Sequence, residues 1–412
     1  MIPTSGPNKE GTNIRKKNPL LDVKSTYYIS EDSEAPPWYA LSDGMEEPTV
    51  EQAMEIWSAP LEEQKSNDLR EGYARSSRMK VLFIIACIFL TAVSVIFAIG
   101  LGPYDIGFFK SIGILIDHIT GNVQDTTYDY FIWEGRLPRA VLGMLTGAGL
   151  AVGGCVMQSI LNNSLADSYT TGISAGAGFG ATVAFIGGLT LATGVYAVVF
   201  NAFVFSLIPT IIILVISRLK GGNPLVMVMS GIALMYMFNA VSAIFKIMAD
   251  PKDLAALYAW QLGSISSCSW GDIGLVFIVL LPCIIALQLH TSKINLLASG
   301  DDYAKSMGVN VANLRNICLL IVTIMTAILV SFTGLIGFVG LVAPHICRIF
   351  IGSDNRYLLL ASAFFGALIV VLSDTVGKIA FQPYELQVGI ITAFLGAPLF
   401  LYLVMKTRRS SW

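Results

Sequence analysis

Residues 298–309 read ASGDDYAKSMGV and residues 336–348 read IGFVGLVAPHICR; GSD follows at 352–354, a lone Asp374 interrupts an apolar run, and ELQVGIITAFLGAP occupies 385–398. The series alternates apolar runs with one polar loop, as a polytopic membrane protein requires. Working outward, apolar segments fall near 81–101, 137–161, 172–190, 194–217, 224–248, 272–290, 315–333, 338–350, 357–377 and 386–405. Several are at or below the ~20 residues of a spanning helix, and 338–350 is too short to span, so it reads as a broken or partly buried helix. The expected fold is therefore an all-α membrane protein of about ten transmembrane helices, some short or broken.

Composition agrees. Hydrophobic residues are 54% and charged residues 13% of 412, against about 25% charged in soluble domains. Residues 1–79 hold 9 Lys/Arg and 14 Asp/Glu, and residues 80–412 hold 17 and 14. The first part reads as a polar, acidic, largely disordered tail, the second as a membrane body. Within the tail, Val50, Met54, Trp57 and Leu61 repeat at helical spacing over Pro48–Gln64, the pattern of a short amphipathic helix competing with that of a loose tail. The first apolar run begins near Val81, after 80 polar residues, and reads as a retained helix and not a cleaved signal. Lys and Arg in the short loops divide thirteen to six in favour of the side bearing the tail, which puts both termini in the cytoplasm. The long outer loops, 102–134 and 249–271, carry Trp133, Trp260 and Trp270, read as interfacial anchors.

No basic patch with interleaved aromatics occurs, so nucleic acid is excluded as a partner. The six cysteines lie mostly in apolar runs without CxxC spacing, which argues against a metal site or disulfide framework; only Cys268, in an outer loop, stands apart. Pro344-His345 holds one of three histidines, with no second ligand at metal spacing, so no metal is expected. No GxxxxGKS/T is present, and no nucleophile–base–acid set, so the chain is not expected to hydrolyse ATP or act as an enzyme. Gly147, Gly149, Gly153, Gly154, Gly172, Gly176, Gly178 and Gly180 are of the kind that lets helix backbones approach closely. Ser299-x-x-Asp302 has the spacing of a capping box opening a short helix through Ala304 and Met307, stopped by Gly308. Asp374 is an ionisable group deep in an apolar segment, which is costly and marks a site. Asn163 and Asp167 are suited to bonding the exposed backbone of a turn.

The ordered motifs resemble the FecCD family, the membrane subunits of ATP-driven importers for iron siderophores, heme and vitamin B12, over about residues 80–408. The family's RLPR stands here as Arg136-Leu-Pro-Arg139. Two arginines at a helix start oppose the helix dipole, and the resemblance implies that Arg136 and Arg139, with Lys378 as a weaker third, grip carboxylates of an extracytoplasmic binding protein. Snorkelling to lipid headgroups is the competing reading. The family's NPLAxP departs here, with Ser164 and Ser168 in place of both prolines. Its ALGEEEARSLGV loop, the coupling helix that enters a cleft on the ATPase, is kept at Gly300, Ala304, Gly308 and Val309, with Ser299, Asp301, Asp302 and Met307 substituted. Gln158, Asn163, His345, Arg348 and Asp374 are read as structural polar residues within the membrane body.

The resemblance implies a plasma-membrane permease that pairs with a second copy or close homologue. Two ATPase subunits, which bind the ATP and Mg, dock inside and a binding protein docks outside; this chain holds no cofactor of its own. The cargo class is a metal chelate: ferric siderophore, heme or a corrinoid. An oxyanion such as molybdate is the alternative cargo, and a proton-coupled secondary transporter using Asp374 the alternative mechanism; the latter would need further intramembrane acids or an inverted repeat, and neither is visible.

Overall fold

The computed structural model describes residues 63–102, 106–381 and 384–406. The chain divides into a unit over residues 1–70 and a unit over residues 71–412; of the first, only residues 63–70 are described, as the start of a helix. The periodic positions Val50, Met54, Trp57 and Leu61 therefore lie outside the described residues.

All regular structure among the described residues is helical. In chain order the α-helices are α1 (Glu63–Gly100), α2 (Phe108–Thr120), α3 (Thr126–Tyr130), α4 (Leu137–Ile160), α5 (Ile173–Phe185), α6 (Ala197–Leu219), α7 (Pro224–Ile247) and α8 (Pro251–Gln261). They continue with α9 (Trp270–Leu289), α10 (Thr291–Ala298), α11 (Asp301–Ser306), α12 (Val311–Thr333), α13 (Val339–Ile351), α14 (Asn355–Ile379) and α15 (Val388–Lys406). A π-helical turn, Phe131–Arg136, joins α3 to α4. Among the described residues, seven spans are long and apolar enough to cross a membrane, and three shorter apolar helices, Ile173–Phe185, Val339–Ile351 and Val388–Tyr402, accompany them. These ten fall on the ten apolar segments of the sequence, because in lipid each span must satisfy its own backbone bonds within one apolar run. Helix α1 begins at Glu63, well before the apolar run near Val81. The long loops around residues 106–134 and 249–271 also hold more structure than composition suggests, namely α2, α3, the π turn and α8.

Local chemistry sets the helix starts. Asn223 accepts a hydrogen bond from Leu225 N with Pro224 in the first turn of α7, and Asp354 accepts one from Arg356 N at α14; both are favoured N-caps. Ser269 and Asp272 form a reciprocal capping box at α9. Large apolar side chains on the spans face outward, with Phe89, Tyr236 and Ile278 more than 60% exposed, as lipid contact requires.

The core is organised around α4, whose residues from Leu150 to Ile160 are all buried. It packs against α14 so closely that a β-carbon on Gly147 would collide with the Gly366 carbonyl, and one on Gly154 with the Gly340 carbonyl of α13. The glycine pattern of α4 is thus helix packing within one chain, backbone against backbone.

Candidate functional site

Two polar assemblies lie at opposite ends of α4. At its N-terminal end, the π turn finishes at Arg136, which is only 7% exposed. Its Nη1 donates to the Ile99 carbonyl at 3.0 Å and to Ser111 Oγ at 3.2 Å. One turn on, Arg139 grips Asp374 of α14, with Nε 3.0 and 3.1 Å from the two carboxylate oxygens and Nη2 at 2.9 Å. Its Nη1 reaches Glu385 at 2.9 Å. Lys378, at i+4 from Asp374 on α14, brings Nζ to 2.7 Å from the same carboxylate. Asp374 and Lys378 are each 2% exposed, whereas the Glu385 side chain is 38% exposed. Two cations and two anions thus neutralise one another, which is how charges become tolerable at membrane depth. Beside them lies a cavity of about 140 Å³ touched by Arg136, Arg139, Lys378 and Glu385.

The three cations expected at an outer docking surface are therefore placed as follows. Arg136 is turned inward, Lys378 is buried against Asp374, and Arg139 is shared between a buried and a half-exposed acid. Solvent reaches this cluster mainly through Glu385. Nearby, Trp133 stacks on His118 at 3.9 Å, His118 Nδ1 meets the Asp129 carboxylate at 2.8 Å, and Trp270 Nε1 donates to the Trp133 carbonyl at 3.1 Å. These tryptophans are packed into a side-chain cluster as well as lying near the end of the spans.

At the other end of α4, the Ser299–Asp302 capping box does not form. Gly300, at φ 118°, occupies the N-cap of α11, which has no side-chain cap. That backbone conformation is open to glycine, and it separates Ser299 from α11; Ser299 Oγ instead donates to the Asn295 carbonyl at 3.1 Å, closing α10. Asp301 is free to pair with Arg315 of α12, Nη2 to Oδ1 at 2.8 Å, and Asp302 pairs with Lys305 at 3.1 Å on the surface. The helix ends where Gly308, at φ 79°, donates its N–H to the Lys305 carbonyl. Ala304 is buried, while Tyr303 and Met307 are 51% and 57% exposed.

Arg315 is the residue that sequence reasoning passed over as one more charge in a short loop. It is 1% exposed. Its Nε donates to the Ile160 carbonyl at the end of α4 at 2.7 Å, and Nη1 donates to the Gly222 carbonyl in the α6–α7 turn. Asn295 of α10 makes a second tie: Nδ2 donates to Asp354 at 2.7 Å and Oδ1 accepts from Asn355 N and Nδ2 at 2.8 and 2.9 Å. Asn355 Oδ1 in turn accepts from Ser159 of α4 at 2.9 Å. Burial raises the Asp354 carboxyl, but the hydrogen bonds from Arg356 and Asn295 outweigh it and hold the group at about 2.

The remaining polar candidates are distributed around this end. Gln158 Nε2 donates to the Gly340 carbonyl at 3.3 Å and its Oε1 accepts from Arg348 at 3.1 Å, joining α4 to α13. Asn163 accepts from Leu165 N at 2.9 Å, and Asp167 accepts from Tyr169 N and Thr170 N at 2.8 and 3.0 Å. Burial pushes the Asp167 carboxyl up to about 6, against the pull of those two N–H groups. His345 is buried on α13 with its ring edge-on to Phe400. No group of His, Cys, Asp or Glu suited to a metal occurs among the described residues. Cys268 is a free thiol that burial pushes up to about 11, which leaves it unreactive at neutral pH.

Comparison with known proteins shows the family to which the chain belongs. Residues 78–406 match the FecCD transport family. The chain is 33% identical over 339 residues to the Fe(3+)-citrate import system permease protein of Bacillus subtilis, covering 82% of this chain and 98% of that one. It is 34% identical to the hemin transport system permease protein of Yersinia pestis, over 68% of this chain and 84% of that one. With the cobalamin import system permease protein of Halobacterium salinarum it shares 35% identity, over 65% and 72%. A solved ABC transporter described as of metal-chelate type, in an inward-facing conformation, superposes with a TM-score of 0.69 at 26% identity, covering 79% of this chain and 99% of its own. With a family model spanning the membrane body, relatives at 33–35% identity covered over 72–98% of their own length and a shared fold, this chain belongs to the FecCD transport family.

Proposed function

We propose that the chain is the membrane permease of an ATP-binding-cassette importer carrying a metal chelate (a ferric chelate, heme or a corrinoid) into the cytoplasm. The observation that carries the reading is α11. It is a short helix fixed from behind by Asp301 and Ala304, and it presents Asp302, Tyr303, Lys305 and Met307 outward. A membrane protein has little use for a rigid, exposed knob of this kind unless another protein seats on it. Two ATPase subunits would bind there, one on each of two permease copies, with both termini on that side of the membrane. Iron-citrate, hemin and cobalamin permeases among the relatives support the cargo class.

At the opposite end, an extracytoplasmic binding protein would meet the Arg139–Glu385 edge of the ion cluster, with Arg136 and Lys378 holding that edge from behind. Asp374 serves as the counter-ion of Arg139 and Lys378, a structural duty that leaves it ill-suited to carry protons. Purification of the tagged chain in mild detergent, with partners counted by mass, tests the assembly; uptake of labelled ferric citrate, hemin and cobalamin tests the cargo. Two permeases with two ATPases and uptake of one chelate is the expected outcome. A particle without an ATPase, or uptake of molybdate alone, would overturn it.

A further inference from the structure

The polar side chain at the α11 end that joins the most separate segments is Arg315, and none of its duties was asked of it by sequence spacing. Three separate pieces of chain converge on one guanidinium: the last carbonyl of α4, the Gly222 carbonyl, and the Asp301 carboxylate that opens α11. Each could have been satisfied locally, since a helix-end carbonyl can bond water and an aspartate in a first turn can bond backbone N–H groups. Burying an arginine to join them has a desolvation cost, and the bond to Gly222 also needs a turn in which Gly221 and Gly222 stand at φ 67° and 75°. What this arrangement gives is a fixed distance between α11 and the end of α4.

The same end is tied a second time, through Asn295, Asn355 and Ser159. Ser159 and Ile160 are consecutive on α4, so the segment carrying α10 and α11 is fastened on one side by Arg315 and on the other by Asn295. Helix α14 takes part at both ends, with Asp354 and Asn355 here and Asp374 and Lys378 at the other. Between these clasps α4 and α14 meet backbone to backbone at Gly147 and Gly366. Arg139 and Ile160 are 21 residues apart on helix, roughly 32 Å at 1.5 Å per residue.

We infer that α4 and α14 form a rigid strut through the bundle and that Arg315 is the positioning residue that makes α11 and this strut move as one body. On this account a displacement imposed on α11 is not absorbed in the loop but arrives, through α4, at the Arg139–Asp374–Glu385 cluster at the far end. The inference rests on the proposed function, because it needs a partner that pushes on α11.

The test uses the complete complex in lipid nanodiscs, with nitroxide pairs placed at Ser306 of α11, which is not among the side chains offered to the ATPase, and Ser353 beside the start of α14, and at Ser306 and Lys220 of the α6–α7 turn. In the otherwise wild-type complex both distances are expected to agree within about 2 Å between the ATP-free and the ATP–vanadate-trapped states, the range of small rigid helix shifts. A larger change in either pair overturns the inference. Arg315→Lys, which keeps the charge but cannot make the three-way fork, and Arg315→Gln are then compared for radioiron-labelled ferric citrate taken up per ATP hydrolysed, or for labelled hemin or cobalamin where that is the chelate transported. A fall of at least about ten-fold in this ratio for Arg315→Gln, a smaller fall for Arg315→Lys, and broadened Ser306–Ser353 distances are expected. A ratio unchanged in both variants refutes the role. Should Arg315→Gln fail to assemble, the wild-type distances and Arg315→Lys decide. Recovery of the chain without any ATPase would fail the functional reading itself, an outcome distinct from an assembled complex with a flexible α11.

Discussion

Replacing Asp374 by alanine removes the anion on which two buried cations depend. The carboxylate is 2.9 Å from Arg139 Nη2 and 2.7 Å from Lys378 Nζ. At about 3 Å and an effective dielectric of about 20, each contact is worth roughly 5 kcal/mol before desolvation is counted. Desolvation opposes most of this while the cluster is intact, but without Asp374 it is left standing. Removing one partner of a buried ion pair costs about 3–5 kcal/mol, and Glu385 cannot serve both cations because it already holds Arg139 Nη1. Asp374→Ala is therefore expected to lose about 3–5 kcal/mol, and Asp374→Asn somewhat less, since an amide oxygen still accepts a hydrogen bond. Adding Lys378→Met to Asp374→Ala removes the stranded ammonium and is expected to recover about 1–3 kcal/mol, a coupling within the range for contacting residues. Denaturant unfolding of the wild type, Asp374→Ala, Asp374→Asn, Lys378→Met and the double variant in detergent, followed by tryptophan fluorescence at low and high salt, measures these differences. The losses are expected to be nearly salt-independent because the pair is shielded from solvent. A loss below about 1 kcal/mol for Asp374→Ala, or a double variant as unstable as the sum of the singles, would refute the reasoning.

Three further outcomes are expected from the same structure. Burial pushes Asp167 up to about 6 in the fold from 3.8, so its contribution is present below about pH 4 and is lost as pH rises through 6; thermal midpoints are expected to fall between about pH 4 and 6, and Asp167→Asn to flatten that slope. Gly154→Ala would drive a β-carbon into the Gly340 carbonyl and is expected to cost about 3 kcal/mol or more, whereas Gly113→Ala, with nothing near the added carbon, is expected to gain about 0.5–1 kcal/mol; paired unfolding curves separate them. Asp354→Ala removes the α14 N-cap and the Asn295 tie and is expected to cost about 1–2 kcal/mol, with faster amide exchange over residues 295–308 as its local signature.

The positions of the apolar helices were legible because lipid forces each span to be written as one run. The polar chemistry was legible only where both partners are near in sequence. Asp374 stood out as an acid in an apolar run, and Lys378 lies one turn away, yet the partner that fixes its role, Arg139, is 235 residues earlier. Arg315 gave no signal because two of its three partners are backbone carbonyls, 155 and 93 residues away, and a carbonyl carries no residue identity. The short helix after Ser299 was read at the right place, but the capping box assigned to Ser299 and Asp302 does not form. A glycine at φ 118° turns the chain between Ser299 and Asp302, and spacing alone does not report that turn. The same box chemistry does form at Ser269 and Asp272, where the intervening Gly271 lies within the helix and does not turn the chain.

These misses share a cause that bears on mechanism. A loop that only joins two spans needs hydrogen bonds to itself and to water, and its pattern would be local. The α10–α11 segment satisfies its polar groups across the fold, on α4, α12, α14 and the α6–α7 turn, through Asn295, Asp301 and their partners. Ties of this kind specify a single geometry for the segment relative to α4, at the expense of local bonding. Since α4 also anchors the ion cluster at its other end through Arg139, the geometry specified at α11 fixes a geometry roughly 32 Å away. A permease moved by partners at one end, and opening at the other, depends on a connection of that stiffness; a flexible loop in the same place would absorb the motion it receives.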